Sequence, residues 1–185
     1  VLTGNDQGRR PVRADPEDRF SRWSATVVNR SGVPVTDLQF PFVVVPHDPA
    51  AAVLLPEMQG VLVRGEGLAA RPADEPRRWQ FWPENGNSQH YPGRSFAQFM
   101  AWYTPRRGLY TACDDTAGNI KLLRALQRPE GMRLGFAHVG DWPAPGERTL
   151  EYSVLLGSFS GDWYDAADLY RAWTLQQSWA VPLTR

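Results

Sequence analysis

The run Asp114-Asp115-Thr116-Ala117-Gly118-Asn119, with Lys121 close behind, is the densest group of chemistry-bearing side chains in this 185-residue chain. Carboxylates and an amide oxygen this close together could ligate calcium through Asp114, Asp115 and Asn119. The run lacks the full ligand pattern and the closing glutamate of a calcium-binding helix–loop–helix. The plainer expectation is a hairpin turn, in which Asp and Asn cap their own backbone and Gly118 takes a positive φ. Glycoside hydrolysis needs two carboxylates facing each other across a sugar. Adjacent residues of a strand point to opposite faces, so Asp114 and Asp115 make a poor acid–base pair.

Nucleophilic catalysis finds less support. The chain has three histidines, His47, His90 and His138, and no serine sits in a G-x-S-x-G elbow. His138, inside Phe136-Ala137-His138-Val139, reads as a hydrogen-bonded sheet residue rather than a base. No His/Cys group has zinc spacing. The single cysteine, Cys113, excludes an internal disulfide framework and reads as a small buried hydrophobe. There is one lysine, Lys121, against nineteen arginines, which suggests codon bias rather than chemistry.

The strongest binding signal is aromatic. Trp79, Phe81, Trp82, Tyr91 and Trp102 flank an irregular centre over residues 65–94, with Arg77, Arg78, Asn85 and Arg94 nearby. Flat rings beside planar polar groups suit the C–H faces of sugars, and exposed clusters of this type mark sites. The same rings could simply fill a core. The candidate carbohydrate-binding set is Trp79, Trp82, Tyr91, Arg94, Trp102, Asp114, Asp115 and Lys121, and no catalytic residue is assigned.

The elements that must position these groups read as strands. Basic and acidic residues balance at 20 each and the apolar fraction is 42%. That supports a core and gives no basic stripe for nucleic acid. No apolar run is long enough for a membrane span. Residues 1–19 form a polar lead-in. Strand-type runs follow at 20–29, 33–45, 53–55, 60–63, 96–103, 108–113, 120–125, 132–139 and 149–159, divided by turn signals. Pro34 and Pro41 suggest edges or bends in the second run. Eight to ten strands at this spacing predict a mainly β fold, an antiparallel sandwich over 20–160 with one C-terminal α-helix. Asp162 fits the N-cap of that helix. Trp163, Ala166, Tyr170 and Trp173 share one face, with Asp165, Asp168, Arg171 and Gln176 opposite. The aromatic stripe needs a partner surface, expected to be the sandwich itself.

Tyr91-Pro92-Gly93-Arg94-Ser95-Phe96-Ala97-Gln98-Phe99-Met100-Ala101, then Gly108-Leu109-Tyr110 and Asp114-Asp115 through Lys121, resemble a known type. So does the closing Gly161-Asp162-Trp163-Tyr164-Asp165-Ala166-Ala167-Asp168-Leu169-Tyr170-Arg171-Ala172-Trp173. The chain is similar to the N-terminal β-sandwich domain (supersandwich, galactose-mutarotase-like) of large bacterial glycoside-hydrolase-like proteins of largely unknown function. Endo-α-N-acetylgalactosaminidases have the same architecture, with a (β/α)₈ barrel after the sandwich.

The resemblance implies that catalytic carboxylates belong to a following barrel. Residues 161–185 would then be a helix and linker toward that missing domain. It also implies an accessory role: bracing the barrel and lending a loop to the sugar cleft. Where relatives would carry a histidine–aspartate pair, this chain has Cys113-Asp114-Asp115. The alternatives are a stand-alone carbohydrate-binding module and, further off, a mutarotase-like epimerase using His90 and His138. The implied partners are carbohydrate and the barrel, with no nucleic acid or membrane; the compartment, secreted or cytoplasmic, stays open.

Overall fold

The computed structural model describes residues 20–64, 87–142 and 144–181. They form a mainly β fold of twelve strands in three antiparallel sheets, with one helix. The strands are β1 (Phe20–Trp23), β2 (Thr26–Asn29), β3 (Val35–Val45), β4 (Ala52–Leu55), β5 (Val61–Arg64) and β6 (Asn87–Tyr91). They continue as β7 (Phe99–Thr104), β8 (Arg107–Asp114), β9 (Lys121–Arg128), β10 (Gly131–Trp142), β11 (Gly146–Thr149) and β12 (Ser153–Phe159). The helix α1 spans Trp163–Thr174. A six-stranded sheet runs β1-β12-β8-β7-β4-β5, a four-stranded sheet runs β3-β10-β9-β6, and β11 pairs with β2.

Between the two large sheets lies the main core. It takes alternate residues from facing strands: Val53 and Leu55, Met100 and Trp102, Leu123 and Ala125, Leu134 and Phe136. The intervening residues of β4 and β7 face the other way. Ala52, Leu54, Phe99, Ala101 and Tyr103 join Tyr110, Phe159 and Ala166 in a second cluster. The six-stranded sheet is therefore covered on both faces, and all six residues of β7 are buried. A near-continuous apolar run is the mark of such a strand.

The outer cover is α1. Ala166 is fully buried, and the Tyr170 ring stacks on Phe99 at 4.9 Å between centroids. Trp173 stacks on Tyr170 at 5.3 Å and meets Trp179 at 6.1 Å. The aromatic stripe thus docks on the chain's own sheet, except that Trp163 at the helix start stays 42% exposed. Asp162 caps the helix: its carboxylate accepts the Tyr164 N–H at 2.8 Å, and Asp165 reaches back to the Asp162 N–H at 2.8 Å. Asp165 is thus a capping residue as well as a solvent-facing one. Asp162→Ala is expected to cost about 1 kcal/mol of stability. Urea denaturation checks this, and an unchanged midpoint would refute the capping role.

Two sequence expectations are refined. The run 20–29 is two strands, and so is 149–159. Both runs break at the same place, because β1 pairs with β12 while β2 pairs with β11. Between the pairs Trp23↔Val154 and Thr26↔Thr149, residues 24–25 oppose residues 150–153. The longer side bulges, and Tyr152 on that bulge lies in the main core. Pro41 lies within β3, an edge strand, where the register against β10 shifts between Gly135 and Ala137. That irregularity absorbs a residue with no N–H to give. It also brings the strands close: a Cβ on Gly135 would sit 2.3 Å from the Pro41 carbonyl oxygen.

Candidate functional site

The inward phase of β9 is Lys121, Leu123, Ala125, so the chain's sole lysine enters the core beside two apolar residues. Lys121 is fully buried. Its ammonium donates to Asp115 Oδ2 at 2.5 Å and to Gln98 Oε1 at 2.7 Å. It lies over the rings of Tyr152 at 4.7 Å and Tyr91 at 4.9 Å. A buried ammonium needs this arrangement: one carboxylate, one amide oxygen and π-faces on the remaining sides.

Asp115 is held as tightly. Besides Lys121 it accepts the N–H groups of Ala117 and Asn119 at 3.1 and 2.6 Å and the Asn119 side-chain amide at 3.0 Å. Gly118 has φ +72°. The 114–119 segment is thus a turn capped by its own Asp. Gln98 closes the network by donating to the Asp115 carbonyl at 2.7 Å. Beside this cluster, burial is the main cause that pushes the pKa of the Tyr170 hydroxyl of α1 up to about 12, with the neighbouring Gln98 opposing the rise.

Asp114 points to the opposite face, as its place on β8 dictates. It pairs with Arg22 of β1 and accepts the Trp173 indole N–H at 2.7 Å. The two carboxylates therefore serve separate networks, one under α1 and one inside the sandwich. No group of three or more His, Cys, Asp or Glu residues is gathered among the described residues.

The other candidates scatter. Trp102 is 4% exposed and packed in the main core, with the Arg107 guanidinium 5.8 Å above its ring. Such a ring offers no platform to a sugar. Arg94 is half-exposed and pairs with the fully buried Glu57 at 2.7 Å. That pair joins the 56–60 and 92–96 loops, which also share the Met58 N–H to Arg94 carbonyl bond. Trp79 and Trp82 lie outside the described residues. Of the predicted set, the structure brings together Tyr91, Asp115 and Lys121.

Sequence reasoning missed Gln98, Tyr152 and Glu57, each polar and set in an apolar surround. The phase of Lys121 against Leu123 and Ala125 could have revealed that its side chain points inward.

His138 extends the polar network. Its Nε2–H donates to the Phe40 carbonyl at 2.5 Å, so Nδ1 accepts from the Tyr152 hydroxyl at 2.7 Å. Burial lowers its pKa to about 4, with the nearby Lys121 charge adding to the shift and the Phe40 carbonyl opposing it. A neutral imidazole with both nitrogens engaged has no free position to take up a proton. His90, by contrast, is exposed on β6. Cys113 is buried in the core, and burial drives its thiol pKa far upward, which keeps it protonated and inert.

A family model described as a domain of unknown function (DUF6259) matches residues 148–184. The match covers β12 and α1, the last fifth of the chain. No match is found among curated proteins. No helix among the described residues is long and apolar enough to cross a membrane.

Proposed function

We propose that this chain is a non-catalytic accessory β-sandwich domain of a carbohydrate-active, glycoside-hydrolase-like protein, built to brace a catalytic barrel. The observation that carries the reading is the divergence of Asp114 and Asp115. Each carboxylate is consumed by a structural network, so neither can face the other across a glycosidic bond. His138 is likewise committed through both ring nitrogens. The glycoside-hydrolase context rests on the resemblance of the 91–101 and 161–173 segments. The sandwich with a helix docked on its outer sheet supports it at the level of architecture.

Two measurements test the reading. The purified chain, given a panel of nitrophenyl glycosides, is expected to release no nitrophenol above buffer; turnover lost in Asp115→Asn would overturn the proposal. The coding sequence beyond Arg185 is expected to continue into alternating strands and helices; a stop codon there would exclude a barrel in the same polypeptide.

A further inference from the structure

The helix α1 stands on the sandwich through few groups. Ala166 is its one buried residue, and Ala167, Leu169 and Tyr170 are part-buried against the same apolar cluster. The Tyr170 ring stacks on Phe99, while Trp163 and Tyr164 at the helix start are 42% and 60% exposed. A helix of 12 residues is marginal in water without a packed face, so this small interface decides whether it stays down.

Its two ends are built differently. At the start, Ser160 and Gly161 are all that separates β12 from the N-cap Asp162, and Gly161 has φ +111°. The capping bonds of Asp162 and Asp165 run within the helix and its cap, so they move with it. At the other end, about 17 Å along the axis, the helix is fastened. There the Trp173 indole N–H donates to Asp114 Oδ1 at 2.7 Å, and Arg22 of β1 holds Asp114 Oδ2. The Asp114 side chain is 25% exposed, so water can take the place of the indole when the helix lifts. Asp115 bonds instead to Lys121, Ala117 and Asn119. The adjacent carboxylates thus hold different units, Asp115 the sandwich and Asp114 the helix.

We propose that α1 is a strap, hinged at Gly161 and latched on Asp114 through Trp173, that lifts from the sheet as a unit while the sandwich stays folded. Lifting it bares the outer sheet face at Phe99. Neither hinge nor latch depends on a carbohydrate ligand or a following barrel.

Hydrogen exchange of the native chain, followed by mass spectrometry over a series of low urea concentrations, tests this. Peptides from α1 are expected to exchange at least about tenfold faster than those from β7 and β8. Their rates should barely change with urea, the mark of a local opening that exposes little surface. Trp173→Phe keeps a ring against Tyr170 and removes the donor; Asp114→Ala removes the acceptor. Each should speed α1 exchange about tenfold further and leave β7 and β9 unchanged. Wild-type α1 peptides that exchange at the rate of β7, with the same dependence on urea, would overturn the strap. So would equal acceleration of α1 and β7 in Trp173→Phe. The wild-type series needs no variant, so it decides the matter even if both variants fail to fold.

Discussion

Replacing Lys121 by methionine is expected to destabilise the fold by about 3–5 kcal/mol. The substitution keeps the length and apolar stem of the side chain, so little volume is lost. What it removes is the partner of a buried carboxylate. Asp115 is 2% exposed, and without the ammonium its buried charge would keep only the neutral N–H donors of Ala117 and Asn119 and no cation. Burying an unpaired charge costs far more than the pair contributes, so the single variant overstates the net value of the salt bridge. A double variant separates the two effects. Asp115→Asn with Lys121→Met should be less destabilised than the sum of the single variants, because no naked charge remains. Urea denaturation followed by tryptophan fluorescence provides all four stabilities. If Lys121→Met lost less than about 1 kcal/mol, the range of exposed ion pairs, water would have to reach the site. A second check uses the fact that Lys121 is the chain's sole lysine. An amine-reactive reagent should leave it unmodified in the native protein and modify it after denaturation.

Acidification should weaken the fold through His138. The unfolded histidine titrates near its ordinary value of 6.5, while the folded one titrates at about 4. Between those values the unfolded state binds a proton that the folded state refuses. Stability is therefore fully retained above pH 6.5 and declines as pH falls toward 4. The full linkage amounts to on the order of 3 kcal/mol. The structural reason is that both ring nitrogens are committed. Protonating Nδ1 would turn an acceptor into a donor against the Tyr152 hydroxyl, in a site already facing the Lys121 charge. Denaturation midpoints at pH 7 and pH 4.5 should therefore differ more in the wild type than in His138→Gln. Equal pH slopes in the two proteins would show that other groups govern the acid response.

Both predictions concern one polar network inside an apolar sandwich. It joins the 114–119 turn, Gln98 just before β7, β9 through Lys121 and β10 through His138 and its Tyr152 partner. A network satisfied at every member fixes register and orientation as well as contributing energy. That gives a physical reason for a lysine in a chain that elsewhere uses arginine. The space between Asp115 Oδ2 and Gln98 Oε1 suits a compact ammonium, whereas a guanidinium would bring a planar fork with more donors to satisfy. The lysine-to-arginine ratio reads as codon usage in the sequence. The one exception sits where a buried carboxylate and an amide oxygen converge on a single compact ammonium.

The sequence by itself determined the fold class, because strand-type runs, turn residues and a capped helix are local signals. Asp162 at the cap, the apolar face of α1, the self-capped turn at Asp115 and the opposite directions of Asp114 and Asp115 all follow from spacings of a few residues. Tertiary structure alone decided which rings are buried and which polar groups meet. Trp102 and Tyr91 are alike as aromatic residues near strand ends, yet one fills the core and the other covers Lys121. Lys121 meets Gln98 across 23 positions, and His138 meets the Phe40 carbonyl across 98. Such contacts depend on how the sheets pair and where a strand bulges. No pattern within one segment encodes the distance between two others, so the polar core became legible only once the sheets were in place.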